Sequence, residues 1–117
     1  MERKRKQEEE ERRQRKEREQ EELKQTVVLA AQKNHQNIKD WSSLAAVKEL
    51  HLDWSQLTSL PDLIGSLTQL TILNLYNNML SELPSSIGNL TNLQQLYLDN
   101  NNLQELPVSL GILTNLK

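Results

Sequence analysis

The sequence predicts an α/β fold, a right-handed coil of short parallel strands and β/α or β/3-10 return segments, preceded by a long charged N-terminal helix. Three observations predict it. Leucines recur every 23 residues, each of the three prolines and three glycines keeps the same spacing, and residues 2–22 contain no apolar side chain. The chain has 117 residues and 36% hydrophobic content, so the core must come from the repeating part.

The helix comes first in the chain. Residues 1–24 hold ten Lys or Arg against nine Glu, and opposite charges recur four residues apart, as in Glu9/Arg13, Arg13/Glu17 and Arg15/Glu19. Each such pair stabilises a helix by about 0.2–0.5 kcal/mol, and Glu, Lys, Arg and Gln are good helix formers. With no apolar seam, dimerisation as a coiled coil is disfavoured over residues 2–22. From Leu23 an apolar stripe begins: Leu23, Val27, Ala30 or Ala31, and Asn34 share one face. Residues 1–36 are thus predicted to form one helix whose last part, residues 23–36, caps the repeats; the other reading of that stripe is a partner-binding helix.

The repeats occupy residues 37–117. Leu50, Leu73 and Leu96 are in phase, as are Leu52/Leu75/Leu98, Leu57/Leu80/Leu103 and Leu60/Leu83/Leu106, with Pro61/Pro84/Pro107 and Gly65/Gly88/Gly111 behind them. Each unit reads as a strand with two inward leucines at period two, a turn, and a return segment whose apolar residues (Ile64, Leu67, Ile87, Leu90) line the back. A single unit cannot bury these side chains, so stacking creates the core, at about 1.5–3 kcal/mol per buried leucine. Units begin near residues 47, 70 and 93, and residues 38–46 form a degenerate half-unit in which Trp41 and Leu44 are in phase with Ile64 and Leu67. Leu116 is in phase with Leu93, so a further unit is expected to open there and stop, leaving Leu96, Leu98, Leu103, Leu106 and Leu113 uncovered and the end prone to self-association.

The pattern Leu70-x-x-Leu73-x-Leu75-x-x-Asn78-x-Leu80-x-x-Leu83-Pro84, and its copy from Leu93 to Pro107, resembles the leucine-rich repeat. The 23-residue Leu-Pro/Ile-Gly form is similar to the intracellular class found in Ras-associated scaffold proteins, scribble/erbin-type proteins, Roco proteins and bacterial repeat proteins. The resemblance implies a leucine-rich-repeat solenoid whose strands line a concave protein-binding face, with a small GTPase or another signalling protein among the partners it suggests. It also implies that Asn78 and Asn101 bond neighbouring turns as a ladder. Ser55 stands where the first ladder asparagine belongs, so that turn is expected to be less firmly tied and to lean on water. A second reading by resemblance makes the chain the regulatory N-terminal piece of a larger enzyme, a Roco-type GTPase/kinase or a ubiquitin ligase.

Chemistry finds little purchase. There is no cysteine, His35 and His51 lie in different elements, and the glycines are single and locked to the repeat, so no metal, cofactor or phosphate loop is expected. Asp53 and Asp99 would sit roughly 10 Å apart on an open sheet, too far and too exposed for paired-carboxylate catalysis. No stretch is long and apolar enough to span a bilayer, and the net charge of −2 gives no field for nucleic acid; Arg3-Lys4-Arg5-Lys6 is opposed by Glu8–Glu11. Without a secretory signal, Asn89-Leu90-Thr91 reads as a chance sequon and a cytoplasmic home is expected. The informative residues are those between the inward leucines, which strand alternation turns outward in columns: Glu49/Ile72/Gln95, His51/Asn74/Tyr97, Asp53/Tyr76/Asp99 and Trp54/Asn77/Asn100. Three of the four aromatic residues fall in this set, so His51, Asp53, Trp54, Asn74, Tyr76, Tyr97 and Asp99 are the predicted partner-binding residues. Tyrosine is also at home merely covering a sheet.

Overall fold

The computed structural model describes residues 2–34 and 36–112. Helix α1 runs from Glu2 to Lys33; strands β1 (Glu49–His51), β2 (Ile72–Asn74) and β3 (Gln95–Tyr97) form one parallel sheet in that order. Between and after them come four 3-10 helices, Trp41–Ala46, Asp62–Ser66, Ser85–Asn89 and Val108–Ile112. The register is one repeat per strand: Leu50 pairs with Leu73 and Leu73 with Leu96.

The core lies between the sheet and the 3-10 helices. Leu50, Leu52, Leu73 and Leu75 enter it from the strand side, and Ile64, Leu67, Ile87 and Leu90 from the back, all of them buried. Pro61 and Pro84 stand immediately before their 3-10 helices with φ of −68° and −65°, the angle the ring imposes and the turn needs. Successive back helices touch closely. A Cβ on Gly65 would run into the Ser86 carbonyl and one on Gly88 into the Ser109 side chain, so these glycines permit the approach. Serines tie the same layer together, with Ser86 Oγ donating to the Asp62 carbonyl at 2.6 Å and Ser109 Oγ to the Ser85 carbonyl at 2.7 Å. The half-unit starts without a proline. There the Asp40 carboxylate accepts from Ser43 N–H, and its pKa is lowered chiefly by the Ser42 hydroxyl, then by the Ser43 groups.

Burial falls off along the stack. Leu96, Leu98 and Leu103 are half-buried, Leu106 is 54% exposed and Val108 96% exposed. Leu113 and Leu116, on which the expected further unit turned, lie outside the described residues.

Helix α1 differs from expectation in two respects. It ends at Lys33 rather than Gln36, because Gln36 N–H turns back to the Ala31 carbonyl at 3.1 Å, a closure that terminates helices. Its ion pairs among the described residues, Arg13 with Glu10 and Lys24 with Glu21, are three residues apart instead of four. Exposed charges on a helix exchange partners at a cost of a few tenths of a kcal/mol, so spacing alone does not choose between neighbours. The buried side of α1 comprises Val27, Val28, Ala30 and Ala31, with Leu23 half-buried. It lies against β1 and the first 3-10 helix, with Lys24 Nζ 5.8 Å from the Trp41 ring centre and Gln20 Oε1 accepting from Asp62 N–H at 2.7 Å. Residues 2–19 are exposed throughout.

Candidate interaction face

The turn that follows each strand is held by a carboxamide. Asn78 is buried; its Oδ1 accepts from Ser55 and Leu57 N–H, both at 3.0 Å, and its Nδ2 donates to the Leu52 and Leu75 carbonyls at 2.9 and 3.0 Å. One side chain thereby ties two consecutive turns. Asn101 repeats the arrangement one unit later, accepting from Leu80 N–H and donating to Leu75 and Leu98 carbonyls.

In the first unit Ser55 Oγ reaches only the Asp53 carbonyl, at 3.1 Å. Donors to the carbonyls there come from Lys33 at the end of α1 and from Asn34 and Gln36 just beyond it. Asn34 Nδ2 donates to the His51 and Asp53 carbonyls at 2.9 and 3.3 Å, and Lys33 Nζ to the Trp54 carbonyl at 3.0 Å. Gln36 completes the set: its Nε2 donates to the Glu49 carbonyl at 2.8 Å while its Oε1 accepts from His51 N–H at 3.0 Å. A parallel neighbour opposite Leu50 would offer the same donor and acceptor, so one carboxamide imitates a strand residue along the outer edge of β1. Sequence reasoning placed Asn34 on the packing stripe and passed over Gln36. Amide side chains just past a helix end and just before an edge strand were the available signal.

On the face of the sheet turned away from the 3-10 helices, strand pairing aligns His51, Asn74 and Tyr97 as neighbours. The strands are only three residues long, so the next columns belong to the turn. Bonds from Trp54 N–H to the Tyr76 carbonyl (3.0 Å) and from Asn77 N–H to the Asp99 carbonyl (2.9 Å) keep them in register. Strand alternation does not account for the last column. Trp54, Asn77 and Asn100 have φ of 56°, 60° and 61°, in the left-handed region. Asn tolerates that region, whereas a tryptophan there is unusual.

Trp54 is 60% exposed, and its ring meets Tyr76 edge to face, with ring centres 6.0 Å apart at 65°. Tyr76 Oη accepts from Asn100 Nδ2 at 3.1 Å, and Asn74 Oδ1 accepts from Tyr76 N–H at 3.0 Å. Tyr97 is 44% exposed and donates from Oη to Gln95 Oε1 at 2.8 Å. His51 Nε2 lies 3.3 Å from Glu49 Oε1. The structure therefore brings Trp54, Tyr76, Asp53 and Asp99 together at the turn end of the sheet, and places His51, Asn74 and Tyr97 beside them on the strands. Among the described residues no group of carboxylates and histidines could hold a metal ion, and no helix is long and apolar enough to cross a membrane.

A model of the leucine-rich repeat region matches residues 22–117. The chain belongs to that family. No curated protein matches it. Among solved structures, a leucine-rich repeat protein of Leptospira interrogans is 47% identical with a TM-score of 0.59, over 60% of this chain and 18% of its own. The chain thus spans less than a fifth of that protein's length. The match begins at residue 22, so the buried part of α1 falls inside the leucine-rich repeat region and residues 2–19 outside it. Leucine-rich repeats are typically interaction modules without catalysis of their own, and the face just described carries exposed aromatic and polar groups.

Proposed function

We propose that this leucine-rich-repeat solenoid is a non-enzymatic module that recognises a protein partner through the concave face of its sheet. His51, Asp53, Trp54, Asn74, Tyr76, Tyr97 and Asp99 make the contact. The observation that carries the reading is the Trp54–Tyr76 pair, an edge-to-face aromatic cluster at the rim of the sheet with Tyr97 exposed beside it. Rigid aromatics among polar groups dominate binding at protein interfaces. The backbone beneath them is fixed by the asparagine ladder and by the end of α1, so ordering this surface on binding costs little. The stack itself holds no other outward-facing aromatic: Trp41, the remaining one, is half-buried under Lys24.

The test is the double substitution Tyr76→Ala with Tyr97→Ala in the intact chain. A partner captured by the native chain and identified by mass spectrometry should lose roughly thirtyfold or more in affinity, with the circular dichroism spectrum unchanged. Undiminished affinity would remove the concave face as the binding surface.

A further inference from the structure

The proposed binding face has a one-sided charge. The outward columns of the three units contain the carboxylates of Glu49, Asp53 and Asp99 and no lysine or arginine. Glu49 is engaged with His51. The carboxylates of Asp53 and Asp99 have neither a hydrogen-bond nor an ion-pair partner among the described residues, although Asp53 is half-buried. Lys33, a cation at the rim, donates to the Trp54 carbonyl.

Asp53 and Asp99 hold the positions on either side of Tyr76 in the outward column. Asp53, Tyr76 and Asp99 occupy the same place in successive units, two residues past the strands, each about 4.8 Å from the next. Tyr76 is pinned by Asn100 and braced by Trp54, so its ring and the indole form a fixed aromatic corner between two acids. A guanidinium fits this chemistry better than any other common side chain. It is planar and weakly hydrated, stacks on an aromatic ring, and sends N–H groups outward in its own plane to carboxylates on either side. An ammonium supplies the charge without the planar stack.

We infer that the Trp54/Tyr76 corner with Asp53 and Asp99 is a pocket for an arginine side chain of the partner protein. The inference rests on the concave-face reading above, and it adds the chemistry of the segment recognised. Net charge points the same way, since residues 25–117 carry seven acidic against four basic side chains.

A random peptide library displayed on phage and selected against the full chain separates the two ideas. Enriched peptides should carry an arginine at a fixed position. Replacing it by citrulline, which keeps the shape and removes the charge, should weaken binding by about tenfold or more, and lysine should only partly restore it. The Asp53→Asn/Asp99→Asn chain should lose binding to a similar degree, with the native circular dichroism spectrum. Selected peptides without arginine, insensitive to Asp53→Asn/Asp99→Asn yet lost in Tyr76→Ala/Tyr97→Ala, would overturn the arginine pocket and leave the concave face standing. Peptides insensitive to both double variants, including arginine peptides held by the glutamates of α1, would overturn both.

Discussion

Trp54 occupies a backbone position that suits asparagine, and its two counterparts are Asn77 and Asn100. Left-handed φ costs a residue with a bulky side chain about 1 kcal/mol or more, while an edge-to-face aromatic contact returns about 0.5–1.5 kcal/mol. The two nearly cancel. Trp54→Asn should therefore change stability in urea by less than about 1 kcal/mol while weakening partner binding severely, as the proposed role of the exposed ring as an anchor requires. A large loss of stability would mean that the indole is a structural residue and that its exposure is incidental. The outward aromatics could be read from the sequence because period-two alternation fixes which strand residues point out. The left-handed turn was less legible, being signalled only by the two asparagines in its column. Asn78 and Asn101 could be singled out only through resemblance, since spacing does not reveal that a carboxamide bridges turns of consecutive units.

At the level of elements, the residues just past α1 take the place of a neighbouring strand. The outer edge of β1 would otherwise present unpaired N–H and C=O groups, the usual route to edge-to-edge association. Gln36 fills the N–H of His51 and the carbonyl of Glu49, and Asn34 takes the next two carbonyls. Gln36→Ala should accelerate hydrogen exchange at the His51 amide and destabilise the chain by about 1–2 kcal/mol, the cost of two backbone bonds lost at a half-buried site. Exchange at His51 as slow as in the native chain would show that Gln36 is not what protects the edge. The back of the stack carries its own test. Gly65→Ala should cost about 1–3 kcal/mol because its Cβ meets the backbone of Ser86, whereas Gly111→Ala, with nothing among the described residues within 4 Å of its Cβ, should be nearly neutral in the same denaturation assay. Equal effects would mean that close stacking is not why glycine stands there.

For the whole molecule, the 23-residue period carried most of the architecture, because each inward leucine, proline and glycine has one place in a stacked unit. Strand order and register follow from it, and are those observed. The join between helix and stack was only partly legible. The apolar stripe points to Val27 and to Ala30 or Ala31, whereas both alanines and Val28 are buried, and the hydrogen bonds of Lys33, Asn34 and Gln36 depend on where α1 crosses β1, which no local pattern specifies. The proposed function puts the partner on the open sheet face, and not on the back of the stack or the charged part of α1. Hydrogen exchange of the intact chain, free and saturated with a selected peptide or captured partner, measures this directly. Added protection is expected at residues 49–54, 72–77 and 95–100; protection confined to residues 2–19, or to the 3-10 helices Asp62–Ser66 and Ser85–Asn89, would place the partner elsewhere.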